Sequence, residues 1–154
     1  MIDEGKSAPD FELPTDAGKS LMLSKLKGHP VVVYFYPKDD TSGCTKEAQA
    51  FTELAASFKS AKVEVIGISP DSVESHAKFR NKYDLSVHLA ADTDKAVATS
   101  YGVWVEKSMY GRKYMGVERS TFLIDGKGHI AKVWRKVKVP GHAEEVLAAA
   151  KDLK

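Results

Sequence analysis

The sequence predicts an α/β domain built on a mixed central sheet with helices on both faces. Two continuous apolar runs, VVVYFY (31–36) and VEVIGIS (63–69), have the β-branched and aromatic content of strands covered on both sides. Each is followed by a segment of helix formers, an order that sets neighbouring strands parallel through crossovers. STFLID (120–125) and HIAKVWR (129–135), around the turn GKG (126–128), read as a hairpin that adds antiparallel strands.

In chain order, turn residues around Pro14 and in DAGK (16–19) lead to the apolar patch LML (21–23), which predicts a small hairpin or edge structure. GHP (28–30) breaks the chain before the first buried strand. Pro37 ends that strand, because proline cannot donate to a central ladder. From Thr45, KEAQAFTELAASF predicts a helix with Ala48, Phe51, Leu54, Ala55 and Phe58 on one face. After the second strand, Pro70 with Ser69 or Asp71 opens a helix through about Tyr83. Residues 89–91 suit a short strand, and Asp92 or Thr93 caps a short helix ending near Tyr101 and Gly102. WVEKSMYGRKYMGVE (104–118) reads as an irregular or bent segment, its Met109, Tyr110, Tyr114 and Met115 either lining a substrate mouth or packing a loop. PGHAEEVLAAAKDL (140–153) predicts a terminal amphipathic helix. With no linker, low-complexity tract or repeat, residues 1–154 read as a single domain.

Composition narrows the function. At 43% apolar and 29% charged, the 154 residues suit an ordinary globular domain. A net charge of +2, with basic residues dispersed among acids, argues against a nucleic-acid partner. Arg135, Lys136 and Lys138 read as a solvated strand end. No apolar stretch approaches the roughly 18 residues of a membrane span. The opening MIDEGKSAPDFELP has no apolar core of a secretory signal, and one cysteine forms no internal disulfide, so the expected compartment is the cytoplasm. The five histidines (His29, His76, His88, His129, His142) show no metal-ligand spacing. DDT (39–41) and DTD (92–94) lack the spacing of a calcium loop and read as caps or turns.

The remaining chemistry lies in FYPKDDTSGCTKEAQAF (35–51), around the lone Cys44. A single cysteine is more often a small buried hydrophobe than a reagent. This one stands where a strand gives way to a helix, the usual place for sites in α/β sheets. Unpartnered amides and the helix dipole there favour a thiolate. A free thiol is only about 3% ionised at pH 7, and a helix terminus supplies roughly 1 kcal/mol, under one pKa unit. A neighbouring guanidinium supplies about one to three units more, so this chemistry requires a cation as well. Thr41 occupies the first position of what would be C-x-x-C, which excludes exchange by an internal dithiol. Its hydroxyl is suited to hold a substrate oxygen or to cap the helix.

PKDDTSGC resembles the peroxiredoxin motif, in which Pro is followed by Thr or Ser, two residues and the peroxidatic Cys, with Pro37, Thr41 and Cys44 in register. The stretch as a whole is similar to the peroxiredoxin Q, or bacterioferritin comigratory protein, group. APDFELP (8–14), VIGIS (65–69), YGV (101–103) and RSTFLID (119–125) extend the resemblance over nearly the whole chain. It implies a thioredoxin-like fold and reduction of hydrogen peroxide or organic hydroperoxides with no metal, haem or flavin cofactor. It also implies that Cys44 is the attacking thiolate, Arg119 the stabilising cation, Thr41 a holder of peroxide oxygens and Pro37 a shield for the sulfur. Read without the resemblance, Arg119 is a surface ion pair with a carboxylate such as Glu118. Glu47 either orients an arginine or is a first-turn acid favoured by the dipole.

The sequence departs from the group at one point. Members that carry a resolving cysteine five residues on have it where this chain has Gln49, and the helix at 70–83 contains none either. The resemblance therefore implies a 1-Cys enzyme whose sulfenic acid is reduced by an external thiol: thioredoxin, glutaredoxin or a small thiol. The group's habit implies a monomer. Two alternatives stand beside the peroxidase: a redox-sensing protein whose Cys44 oxidation controls a partner, and a scaffold with an inert thiol.

Overall fold

In the computed structural model, which describes residues 2–153, the chain opens with an antiparallel hairpin, β1 (Glu12–Pro14) and β2 (Ser20–Met22), then a short 3-10 turn (Leu23–Leu26). β3 (Val31–Phe35) leads into α1 (Ser42–Glu53) and α2 (Ala55–Ser60). β4 (Glu64–Ser69), α3 (Val73–Tyr83), β5 (His88–Ala91) and α4 (Ala96–Ser100) follow. A second hairpin, β6 (Trp104–Met109) and β7 (Arg112–Val117), precedes β8 (Ser120–Ile124), β9 (Ile130–Trp134) and α5 (His142–Lys151). The central sheet has five strands in the order β5-β4-β3-β8-β9. β3, β4 and β5 run parallel, and β8 and β9 are antiparallel to their neighbours, so the sheet is mixed as expected.

The middle strand explains both cores. Every residue of β3 is buried, and alternation sends its side chains to opposite faces. Val32, Tyr34 and Tyr36 join Ala48, Phe51, Phe58, Phe79 and Val146, from α1, α2, α3 and α5. Val31, Val33 and Phe35 join Phe11, Leu13, Val97, Tyr101 and Phe122, beneath α4 and the N-terminal hairpin. Burying each such side chain is worth about 1.5–3 kcal/mol. A close fit sets the position of α1. Gly67 pairs with Tyr34 across β3 and β4, and a Cβ there would lie 2.7 Å from the Tyr34 hydroxyl. The bare glycine lets the Tyr34 ring lie flat and stack on Phe51 of α1, with centroids 4.7 Å apart.

Five local expectations change. The helix after β3 begins at Ser42 rather than Thr45, which draws Cys44 into its first turn. It breaks at Leu54, whose amide bonds Phe51 O three residues back at 3.2 Å, a tightened turn that ends α1 before α2 restarts. The cap of α3 is Ser72, whose hydroxyl accepts from Ser75 N at 3.1 Å, because Ser69 and Asp71 are engaged with each other and with the loop before α1. Residues 104–118 form a regular hairpin rather than an irregular segment. Its turn is Tyr110-Gly111, with φ +53° and +78°, the two left-handed positions of a tight hairpin turn. The N-cap of α4 is Lys95, which makes no side-chain cap, and Asp92 instead serves the first turn from outside it, its carboxylate accepting from Val97 N and Ala98 N at 3.2 and 2.8 Å.

Candidate active site

Cys44 is the third residue of α1, just beyond the carboxyl end of β3. The first helical bond runs from Thr45 N to Thr41 O at 2.8 Å, so the amides of Ser42, Gly43 and Cys44 have no acceptor within the helix. That turn contains no acidic residue to compete for their partial positive charge. The sulfur is buried, with the residue only 2% exposed.

A cation meets it. Arg119, immediately before β8, donates from Nη2 to Cys44 Sγ at 3.2 Å and from Nη1 to Glu47 Oε1 at 2.5 Å. Both contacts come from one planar fork, which Lys could not reproduce. Arg119 is therefore not a partner of Glu118, and Glu47 is a buried counter-ion rather than a solvated first-turn acid. Burial drives the Glu47 carboxyl up to about 7, against the opposing pull of Arg119. Its second oxygen, Oε2, has no hydrogen-bond partner among the described residues, which adds to the cost of ionising it. Burial pulls the Arg119 guanidinium down, but the charges of Glu47 and Cys44 more than reverse this and hold it above its ordinary value.

Thr41 lies at the N-cap position, yet its side chain makes no capping bond. Its hydroxyl donates to Lys38 O at 2.8 Å instead. That bond uses the donor and leaves the oxygen's two lone pairs able to accept. Pro37 is half-buried at the start of the same loop.

The loop itself is clamped to α3, a long-range role beyond the caps or turns that residues 39–41 suggest in sequence. Asp39 Oδ1 accepts from the Tyr36 hydroxyl at 2.6 Å, and its Oδ2 from Ser75 Oγ at 2.8 Å and His76 Nδ1 at 2.7 Å. Its amide donates to Asp71 Oδ2 at 2.8 Å. Next to it Asp40, at φ +59°, accepts from Lys82 Nζ at 2.8 Å and the Tyr83 hydroxyl at 2.6 Å. His76 is fully buried, and its other nitrogen, Nε2, faces Ala90 O at 3.0 Å. With an acceptor at each nitrogen, the ring satisfies both only as an imidazolium. Burial works against that charge, but the Asp39 carboxylate overrides it and raises the His76 pKa. Ligand atoms of Asp39, Asp71 and His76 lie within 4.8 Å of one another, but their hydrogen bonds already occupy them. Only the adjacent acids before a helix hinted at this clamp, whose partners are 32–43 residues away in sequence.

With this geometry in view, the chain matches the AhpC/TSA family over residues 5–133. It is 53% identical to the putative peroxiredoxin bcp of Coxiella burnetii, over 95% of this chain and 97% of that protein. It is 47% identical to peroxiredoxin Bcp of Bacillus subtilis, over 99% and 97% respectively. The structure of Xanthomonas campestris bacterioferritin comigratory protein, studied for alkyl peroxide reduction through trapped intermediate and ligand complexes, superposes with a TM-score of 0.91. That pair is 42% identical and covers 97% of this chain and 98% of the other. The chain thus has a thioredoxin-like fold and belongs to the AhpC/TSA family, as a single-cysteine peroxiredoxin of the Bcp group and a thiol-dependent peroxidase.

Proposed function

We propose that Cys44 is the peroxidatic residue, and that Arg119, Thr41 and Pro37 complete its site. The Cys44 thiolate attacks the nearer oxygen of hydrogen peroxide or an organic hydroperoxide. The S–O bond forms as the O–O bond breaks, and the departing oxygen keeps the electron pair, takes up a proton and leaves as water or alcohol. Cys44 remains as the sulfenic acid. Charge moves from sulfur to the departing oxygen along a line flanked by the Arg119 guanidinium and the first-turn amides of α1, which are in place beforehand. Thr41 Oγ1, its hydrogen committed to Lys38 O, accepts the peroxide O–H. Pro37 closes the loop against bulk water.

The observation that supports this most is the fork of Arg119, which holds the sulfur with one nitrogen while the buried Glu47 fixes the other. With no second cysteine, the sulfenic acid is returned to thiolate by an external thiol. We assign the enzyme to the cytoplasm as a single-domain monomer. Among the described residues no helix is long and apolar enough to cross a membrane.

Stopped-flow mixing of the pre-reduced protein with peroxide tests the reading. The expected result is one peroxide consumed per chain in the absence of reductant, with mass spectrometry showing one added oxygen on Cys44. Cys44→Ser abolishes the burst. A Cys44→Ser protein that still consumes peroxide at the wild-type rate overturns the assignment.

A further inference from the structure

Among the described residues, the large apolar side chains that stand exposed are Met109, Tyr110, Tyr114 and Met115, and all four belong to the β6–β7 hairpin. Tyr110 is 98% exposed at the tip and holds φ +53°, a conformation in which Asn or Gly is usual. A tyrosine there gains no burial within the chain to offset its backbone conformation. Basic residues accompany the apolar ones. Glu106 and Lys113 pair loosely at 3.9 Å, while Lys107 and Arg112 have no carboxylate partner among the described residues. The hairpin is therefore both apolar and cationic.

It is also attached to the redox site. β7 runs into Arg119 through Glu118, whose amide is fixed to Val103 O at 2.8 Å. The Lys107 stem lies along Gly116, where a Cβ would come within 3.2 Å of it. Burial and Arg119 weaken the hold of the Lys107 ammonium on its proton, while Glu118 and Cys44 oppose them.

We propose that the β6–β7 hairpin is the docking surface for a protein dithiol that reduces oxidised Cys44, a partner with an acidic rim around an apolar patch at its own sulfur. The proposal rests on the peroxidase reading above, because it needs the sulfenic acid which that reading supplies. A second copy of this chain would set one cationic hairpin against another, and a lipid surface offers no thiol to the sulfur. An acidic protein dithiol satisfies the apolar residues, the charge and the chemistry together. Cys44 is 2% exposed, so the first turn of α1 must open before one partner thiolate attacks its sulfur. The S–S bond forms as the S–O bond breaks, and the hydroxide leaves as water with one proton. The partner's second thiol then attacks its own sulfur in the mixed disulfide. Cys44 leaves as thiolate, and the partner, having given up two electrons, departs as a disulfide.

The test compares re-reduction of peroxide-treated full-length enzyme by thioredoxin, as the protein dithiol, and by dithiothreitol, as the small one. The variants are Arg112→Glu/Lys113→Glu and Tyr110→Asn, the latter suited to the turn and so expected to fold. The expected result is a thioredoxin rate at least about tenfold lower in the charge-reversed variant, with wild-type salt dependence weakened. A several-fold loss is expected in Tyr110→Asn. The dithiothreitol rate and the peroxide burst stay at wild-type values in both. Thioredoxin rates within twofold of wild type overturn the proposal, as does an equal fall with dithiothreitol. Hairpin-dependent self-association or binding to anionic phospholipid vesicles, with thioredoxin rates unchanged, assigns the surface to another occupant and also overturns it. A wild-type protein with no peroxide burst refutes the peroxidase reading itself, and this proposal falls with it.

Discussion

Gly43 and Arg119 fit together because position 43 has no side chain: a Cβ there would lie 3.2 Å from Nη2, the nitrogen that donates to Cys44. Gly43→Ala pushes the guanidinium by a few tenths of an ångström without straining the helical backbone. The single-turnover rate with peroxide is expected to fall about tenfold, since donors must match the developing charge closely. Stability is expected to hold or rise by up to about 1 kcal/mol, because alanine is the better helix former. Stopped-flow kinetics and a thermal melt check both. An unchanged rate would show that the position of Nη2 does not limit the chemistry.

Arg119→Lys keeps a charge but loses the fork, so it serves Cys44 or Glu47 and not both. We expect the peroxide rate to drop about 10²–10³-fold, the range for removing a preorganised donor. Arg119→Ala also removes the hydrogen-bond partner of Glu47 Oε1, and chemical denaturation is expected to show a loss of about 1–3 kcal/mol. A loss of stability with full activity would give Arg119 a purely structural role.

Glu47 predicts a pH dependence of stability. Its folded pKa, about 7, stands above the ordinary 4.5 because of burial, with Arg119 opposing. Below 4.5 both states hold the proton and the contribution is complete. Between 4.5 and 7 the unfolded chain releases its proton while the folded one retains it, so stability falls with rising pH. The total is on the order of 3 kcal/mol. Glu47→Gln removes this slope, seen as the difference between wild-type and variant unfolding free energies across pH 4–8. Parallel curves would refute the assignment.

His76 adds a slope of the same sign. A histidine with a raised folded pKa contributes fully below its ordinary range and loses that contribution as pH rises through the raised value. His76→Phe strands the Asp39 carboxylate and is expected to cost about 3–5 kcal/mol in urea denaturation. His76→Phe with Asp39→Asn is expected to cost less than the two single variants summed, because neither then leaves a buried charge. Additive costs would mean that the pair does not interact.

Strong local signals made most of the scaffold legible. The unbroken apolar runs at β3 and β4, the turn before β9 and the helix formers of α5 each specify one structure. Residues 104–118 misled because Met109, Tyr110, Tyr114 and Met115 stand in solvent. The alternation that normally marks a half-buried strand was therefore missing, and the turn signal of Gly111 was masked by Tyr110. At the site, Cys44 was readable from its place between strand and helix. The partnership of Arg119 with Cys44 needed a family resemblance, because the two are 75 residues apart. The clamp from Asp39 to His76 was barely legible, hinted at only by the adjacent acids before a helix. It joins a loop to a helix across 37 residues through side chains that, taken singly, resemble turn and surface residues.

Only 2% of Cys44 is exposed, so its surroundings act as a size filter. A peroxide presents two small atoms end-on, whereas a bulky alkylating probe must bring a ring to the same sulfur. Assays that count reduced cysteine by maleimide tagging will undercount this protein in its native state. The shortfall measures shielding rather than oxidation, and it disappears on unfolding.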